Sequence, residues 1–252
     1  MTDLKTRIHD RETLIGVFSD LASPLAVELC GLAGFDWAVI DLEHGAASEA
    51  DLLALLYAAE TTSMAPIVRP PSAERLRVGR ALDLGATGIM LPQLQSAAEV
   101  REAVRYLRYP PVGQRGVALR TRGASMGSIG HGDVARVVNE RVVGIVQIEA
   151  PGAVADADEI ASLPEVDVLF VGPADLSHGL GVPGRFDDQT YLEALRAVVA
   201  ACDRHGKAAG ILIYDAAALP AHVELGFRFI GLGSEGSFVS SGARAMLAAA
   251  SR

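Results

Sequence analysis

The stretch WAVIDLEHGAASEADLLALLYAAE, residues 37–60, contains one complete unit of the pattern that predicts the fold. Its first part is almost entirely apolar, as in a parallel strand that is buried on both faces of a sheet. Its second part has the spacing of an amphipathic helix. Asp41, Glu43 and His44 lie between the two parts. These three residues form either a solvated strand end or an acid–base site.

The same alternation of short apolar runs and longer amphipathic segments continues along the chain. The strand-like runs are TLIGVF, WAVIDLE, APIVRP, GIMLPQ, VGIVQIE, DVLFVGP, AAGILI and FRFIGLG. Several of the intervening segments begin with serine at an expected N-cap position, as at Ser48, Ser72 and Ser96. About eight strand–helix units predict an α/β fold, a TIM (β/α)8 barrel that forms a single domain over residues 1–252. A doubly wound open sheet is the alternative.

The composition excludes several classes of protein. Of 252 residues, 50% are hydrophobic, and the net charge of -9 argues against a nucleic-acid or anionic-membrane partner. The charged N-terminal segment does not have the pattern of a signal peptide, and no uncharged apolar run has the length of a membrane span. Cys30 and Cys202 lack a CxxC or Cys/His partner, which predicts buried free thiols in a reducing cytosol. We therefore expect a cytoplasmic protein.

Polar residues stand at the carboxyl ends of several predicted strands, where TIM barrels carry their chemistry. These residues are Asp41, Glu43, His44, Arg69, Gln93, Gln147, Glu149 and Asp175. One such residue could be a solvated strand end, but this number on one side of the barrel predicts a common active site.

Glu149 and Asp175 follow adjacent strands and are the expected metal ligands. Two carboxylates can hold a hard divalent cation and leave positions for water or substrate. The chain has no HxH, HExxH or CxxC spacing, which argues against a zinc site of imidazoles or thiolates. The alternative is an acid pair that is neutralised by arginines.

His44 with Asp41 predicts a general base and the carboxylate that orients it. The alternative is a buried histidine that is hydrogen-bonded to the backbone. Arg69 could stabilise a developing oxyanion or bind a carboxylate. The only lysines, Lys5 and Lys207, are predicted to lie away from these residues, so we expect no Schiff-base lysine. Activation of a carbonyl would then require a metal.

Two further segments need an interpretation. GLGSEG, residues 231–236, matches GxGxxG, but no acid follows Glu235. A nucleotide cofactor is therefore not expected, and a turn or a small anion site is favoured. The Gly- and Arg-rich loop 109–133 is predicted to be a lid or an interface segment, with a surface excursion as the alternative.

The motifs DLEHG, VRP, YPPVGQRG, VQIE and VGPADLS resemble those of the HpcH/HpaI aldolase family of metal-dependent pyruvate aldolases, in the same order and spacing over nearly the whole chain. The resemblance implies a TIM barrel in a dimer-based homo-oligomer, most often a hexamer, with the C-terminal helix exchanged between subunits. It also implies that Glu149 and Asp175 bind Mg²⁺, Mn²⁺ or Co²⁺. His44, supported by Asp41, would transfer protons.

The resemblance further implies contacts to the substrate. Arg69 would contact the pyruvate oxygen. The backbone of Gly172, Pro173 and Ala174 would meet its carboxylate. We also expect Gln147 and Leu212 to line the substrate site.

The expected reaction is reversible cleavage of 4-hydroxy-2-oxo acids to pyruvate, or a related 2-oxo acid, and an aldehyde through an enolate. The alternatives are a related carbon–carbon lyase of the citrate lyase or malyl-thioester lyase type, and a non-catalytic barrel for binding or assembly. Gln93 stands where many family members have an apolar residue, a difference that concerns the aldehyde preference. The apolar segment 242–251, GARAMLAAAS, predicts a helix that is buried against a partner subunit.

Overall fold

Eight parallel strands, hydrogen-bonded in sequence order, close into a barrel in which the last strand pairs with the first. The structure is a computed structural model and describes residues 3–250. The strands are β1 Leu14–Ser19, β2 Trp37–Asp41, β3 Ala65–Arg69, β4 Gly88–Leu91, β5 Val143–Ile148, β6 Val168–Val171, β7 Ala208–Ile213 and β8 Phe229–Ser234. The predicted TIM barrel is confirmed, and the β1–β8 pairing excludes the open sheet.

Helices connect the strands on the outside of the barrel. They are α1 Leu4–His9, α2 Pro24–Ala33, α3 Leu52–Glu60, α4 Arg75–Leu84, α5 Ala97–Val104, α6 Val134–Arg141, α7 Pro151–Ala155, α8 Ala157–Ser162, α9 Pro173–Gly179, α10 Gln189–His205, α11 Leu219–Leu225 and α12 Glu235–Ala249. Short 3-10 turns occur at Arg105–Leu107, Arg122–Gly127 and Ala216–Ala218. None of the described helices is long and apolar enough to cross a lipid bilayer.

The predicted serine caps are confirmed at one of the three positions. Ser96 accepts a hydrogen bond from the Glu99 amide at the start of α5. Ser48 does not cap α3, because its amide and hydroxyl both donate to Asp51 in a turn that precedes the helix. Ser72 also lies before its helix, since α4 begins at Arg75.

Aromatic side chains fill the barrel interior. The rings of Trp37 and Phe229 stack with their centroids 4.1 Å apart. A Cβ atom on Gly16 would lie 1.9 Å from the Trp37 ring, so the close approach of this strand requires glycine. Leu4 and Ile8 of α1 belong to the same buried cluster and close the amino end of the barrel. The carboxyl end, in contrast, has cavities that could hold a ligand.

The loop 109–133 packs against the outer helices. Arg115 is buried and donates to Asp83 of α4 at 2.8 Å. Arg122 donates to the carbonyl of Leu84 at 3.1 Å, and its guanidinium lies 4.0 Å from the centre of the Tyr57 ring. The residues that line the cavities at the carboxyl end come from other segments. The loop therefore does not cover that end as a lid, while an interface role stays a prediction.

Both lysines lie at the amino end, as predicted. Lys5 donates to the carbonyl of Val142 at 3.1 Å, directly before β5. Lys207 donates to the carbonyl of Val166 at 2.6 Å, two residues before β6 begins. No lysine can therefore reach the carboxyl end. The two cysteines are buried free thiols, also as predicted, and burial raises the pKa of Cys202 to about 12.

Candidate active site

An arginine–aspartate pair stands at the mouth of the barrel. Asp41 and Arg69 are register partners at the ends of β2 and β3. Arg69 donates from Nε to Asp41 Oδ1 at 2.9 Å and from Nη2 to Oδ2 at 2.6 Å. Burial alone would raise the pKa of Asp41, but the hydrogen bonds and charge of Arg69 hold it below its ordinary value. The pair fixes the guanidinium in one orientation.

The imidazole of His44 does not contact the Asp41 carboxylate, contrary to the expectation that Asp41 orients it. Asp41 contacts His44 only through the His44 backbone amide, at 3.2 Å, because both of its carboxylate oxygens face Arg69. The carboxylate near the imidazole belongs to Glu43, with 3.8 Å between Oε2 and Nε2. The His44 side chain is 63% exposed, so the alternative of a buried histidine is wrong.

Gln93 connects two acidic side chains. Its backbone amide donates to Glu149 at 2.7 Å, and its side-chain amide donates to Glu43 at 2.6 Å. Its φ of 59° lies in the left-handed region, which is uncommon for residues other than glycine. Such strained conformations are often found at functional sites. Glu149 is held from a second side by the Gln147 amide at 2.9 Å.

At the carboxyl end of the barrel, the carboxylates outnumber the basic side chains that pair with them. Arg69 pairs with Asp41 and also lies 3.2 Å from Glu43. Among residues 3–250, no arginine forms an ion pair with Glu149 or Asp175, which counts against the alternative of an arginine-neutralised pair. Burial and the charges of Glu43 and Asp175 raise the pKa of Glu149. A bound cation would relieve this repulsion.

The donor atoms around Glu149 fit a hard divalent cation. The side-chain oxygen of Gln147 is buried and accepts no hydrogen bond. A Cβ on Gly172 would lie 2.9 Å from Glu149 Oε2, so glycine keeps this space free. In the described part of the chain, no three His, Cys, Asp or Glu side chains come together as a metal cage. Two carboxylates with further oxygen donors suit an ion such as Mg²⁺, which retains several waters.

Two cavities meet at the carboxyl end. The larger has a volume of about 750 Å³, and the smaller has a volume of about 370 Å³ and contacts Glu43, Gln93 and Glu149. His44 and Asp175 line both cavities. The larger cavity is lined by all the residues predicted to contact substrate, namely Arg69, Gln147, Gly172, Pro173, Ala174 and Leu212.

Comparison with known proteins assigns the chain to a family. The model of the HpcH/HpaI aldolase/citrate lyase family matches residues 14–241. The chain belongs to this family. It is 38% identical over 238 residues to the hydroxypyruvate/pyruvate aldolase of Paraburkholderia phytofirmans, covering 92% of this chain and 91% of that protein. It is 36% identical to the 5-keto-4-deoxy-D-glucarate aldolase of Salmonella paratyphi C, covering 94% and 92%.

A crystal structure supports the same assignment. An HpcH/HpaI aldolase/citrate lyase family protein from Burkholderia cenocepacia superposes with a TM-score of 0.93 at 36% identity, covering 99% of each chain. The relatives are aldolases, so this HpcH/HpaI family member is a carbon–carbon lyase. This result counts against a non-catalytic barrel.

The first turn of α9 offers fewer backbone donors than expected in this family member. The Gly172 amide already donates to the carbonyl of Ile148 at 3.3 Å. Pro173 has no amide hydrogen. Of the three residues predicted to meet a carboxylate, only Ala174 therefore retains a backbone donor.

Several residues of the site were not predicted from the sequence of this HpcH/HpaI protein, among them Asp20, Arg196, Tyr214, Asp215 and His222 of the larger cavity. Asp20 and Tyr214 line the larger cavity, directly after β1 and β7. The rule that polar residues after strands mark the site would have found both. Asp20 also accepts a hydrogen bond from the Gly236 amide at 2.8 Å. The expected anion position at GLGSEG is thus taken by the protein's own carboxylate.

Proposed function

We propose that the protein is a metal-dependent aldolase that reversibly cleaves 4-hydroxy-2-oxo acids to pyruvate, or a related 2-oxo acid, and an aldehyde. The observation that carries the proposal is one fixed guanidinium, Arg69, beside the unbalanced carboxylates of Glu149 and Asp175. This arrangement can hold a cation and an anionic oxygen next to each other. The activities named for the relatives support the same reaction class.

Glu149 and Asp175 are the proposed ligands of Mg²⁺, Mn²⁺ or Co²⁺. When bound, such a cation polarises the carbonyl of the 2-oxo acid and so lowers the pKa of its methyl group. The unpaired oxygen of Gln147 would complete the polar surroundings.

His44 is the proposed general base, because its imidazole faces both cavities beside Glu43. In the condensation direction, His44 removes a proton from the methyl carbon, and the resulting enolate carbon forms a bond to the aldehyde carbon. The alkoxide produced at that carbon then takes the proton back from the imidazolium. Cleavage is the reverse of these steps, so His44 acts first as a base on the C4 hydroxyl.

Arg69 is the proposed partner of the enolate oxygen. Asp41 holds the guanidinium through Nε and Nη2, which leaves further N–H groups for a substrate oxygen. A donor that is fixed before the substrate arrives stabilises developing charge without reorganisation. The Ala174 amide is the proposed donor to the substrate carboxylate.

We also propose a dimer-based oligomer, a hexamer in its full form, in which α12 is exchanged between subunits. Residues 238–250 are all exposed, and Met246 and Leu247 are 75% and 66% exposed. Ser251, the last residue of the predicted segment, lies outside the described residues. Helix α2 exposes a second apolar stripe of Leu25, Leu29 and Leu32. Such surfaces favour association, and a monomeric mass by light scattering at micromolar concentration would contradict the proposal.

The direct test is exchange of the pyruvate methyl protons with D₂O, followed by NMR without an aldehyde. This exchange requires only enolate formation. Protein with Mg²⁺ should exchange the protons, chelation should stop the exchange, and Mg²⁺, Mn²⁺ or Co²⁺ should restore it. Full exchange after exhaustive chelation would contradict the metal, and no exchange with any of the three ions would contradict the function.

A further inference from the structure

We propose that the acceptor aldehyde of this enzyme carries an apolar chain, aliphatic or aromatic, that binds between β7, α10 and α11. This inference rests on the proposed aldolase function and specifies its substrate class. We call this part of the larger cavity the apolar arm. Its apolar lining consists of Tyr191, Leu195, Ile211, Ile213, Ala221 and Leu225, and Arg196 and His222 of the same helices also line the cavity.

The arm exists because α11 packs against its neighbours only through half-buried side chains, namely Leu219, Val223 and Leu225. Successive side chains of a strand point to opposite faces, so Ile211 and Ile213 face the helices while Leu212 packs with the barrel interior. Helix α11 spans only Leu219–Leu225 and has no buried residue. The buried apolar side chains of β7 and α10 therefore form the wall of a cavity that α11 does not fill.

Open apolar space of this kind favours an apolar ligand. Protein interiors are normally close-packed, and atoms beside a gap lose dispersion contacts that a bound chain would restore. Leu195 and Ile211 are each 1% exposed although both line the cavity. They are thus held in a fixed apolar wall rather than on a mobile surface.

The arm is continuous with the proposed chemical site. One cavity of about 750 Å³ contacts Arg69 and Asp41 at one side and the arm at the other. Tyr214 directly follows Ile213 of the arm and lines the same cavity. Burial and the Asp20 carboxylate raise the pKa of Tyr214, and Arg69 acts in the opposite direction. A three-carbon 2-oxo acid at Arg69 would leave most of this volume for the second substrate.

The apolar wall of the arm disfavours an aldehyde with an anionic tail. The charged groups of the cavity are mixed in sign, because Arg196 and His222 line it together with Asp20 and Asp215. Burying a terminal carboxylate among leucine and isoleucine side chains would carry a desolvation penalty. An uncharged apolar chain avoids that penalty.

The test compares aldehydes of increasing chain length with pyruvate and Mg²⁺. We expect kcat/KM to rise roughly two- to fourfold per added methylene from acetaldehyde through butanal to hexanal, as for transfer of a methylene from water to an apolar site. Succinic semialdehyde has the same number of carbons as butanal but a terminal carboxylate, and it should be the poorer substrate. A flat series, or a preference for succinic semialdehyde, would overturn the inference.

A variant with a larger side chain in the apolar arm tests where the aldehyde chain binds. Ala221→Phe should reduce the advantage of hexanal over acetaldehyde by about tenfold, because the new ring occupies the arm. Ala217→Phe is the matched control: Ala217 is exposed on the preceding turn and does not line the cavity, so the ratio should be unchanged. Equal hexanal-to-acetaldehyde ratios in the two variants would overturn the proposed location. A second copy of the chain that occupied the arm would flatten the wild-type aldehyde series, and this result would also overturn it.

The two proposals fail in different ways. Methyl-proton exchange with a flat aldehyde series would overturn the apolar arm and leave the aldolase proposal intact. Absence of exchange would overturn the aldolase proposal itself.

Discussion

At the amino end of the barrel one buried carboxylate is surrounded by basic groups, whereas at the carboxyl end one buried guanidinium is surrounded by carboxylates. The amino-end carboxylate is Asp167, with a side chain that is 1% exposed. It lies 3.3 Å from Lys5 Nζ and 3.1 Å from His9 Nε2, and it accepts the Gly144 amide at 2.9 Å. Its charge is matched by groups of the same chain.

The carboxyl end leaves negative charge unmatched. Arg69 pairs with Asp41 and Glu43, while burial and the neighbouring acids raise the pKa of Glu149. Unmatched buried charge destabilises a fold unless a ligand compensates it. Both ends contain buried charged groups, so the balance of charge, rather than its presence, separates the functional end from the structural one.

Removal of the proposed metal ligands should have the largest effect. Glu149→Gln and Asp175→Asn should each lower the Mg²⁺-dependent exchange of pyruvate methyl protons by about 10³-fold or more, since Lewis-acid stabilisation is worth several kcal/mol. Glu149→Gln should not lower the melting temperature, because it removes an unmatched charge. Asp187→Asn, at an exposed position outside both cavities, is the control. Unchanged Mg²⁺ affinity by calorimetry in the two variants would refute the assignment.

Loss of the proposed base should come next. His44→Ala should slow proton exchange by roughly 10²–10⁴-fold, the usual contribution of a positioned general base. Its metal titration should match that of the wild type, because His44 is not a proposed ligand. His131→Ala removes an exposed histidine from the loop 109–133 and should have no effect. If the His44 variant exchanged at the wild-type rate, the base would have to be another group at this end.

A substitution at the amino end should lower the stability of the protein and leave its activity unchanged. Asp167→Asn leaves Lys5 and its basic neighbours without their carboxylate, and the free energy of unfolding in urea should fall by about 3–5 kcal/mol, as for other broken buried ion pairs. Proton exchange per folded molecule should be unchanged. A variant with normal stability but slow exchange would mean that the two ends are not divided in this way.

The smallest effect should come from Glu235, a buried acid at the start of α12. Burial, and then the charge of Asp20, raise its pKa from 4.5 to about 7. An acid whose pKa is raised on folding stabilises the folded state while it is protonated. This contribution is complete below pH 4.5 and is lost as the pH rises through about 7. Glu235→Gln should therefore gain melting temperature relative to the wild type across this range, and parallel curves would disprove the shift.

Some elements were predictable because their signal is local. The run AAGILI coincides with β7 at Ala208–Ile213, since a strand that is buried on both faces is apolar throughout. Helix starts were less predictable, as Ser48 shows: its bonds to Asp51 form a separate turn that competes with a cap. The strained backbone of Gln93 had no signal in its residue type, because its conformation depends on two acids far away in sequence.

The grouping of residues at the carboxyl end follows from the order of strands along the chain, because parallel strands carry their last residues to the same side whatever their partners are. Asp41, Arg69 and Glu149 could be grouped on that ground alone. The packing of the folded chain, in contrast, sets the pairing of Asp41 with Arg69 and the approach of Glu43 to His44. These pairings depend on the register of β2 against β3, which places Asp41 directly beside Arg69, and on differences of a few ångströms that spacing along a chain does not encode.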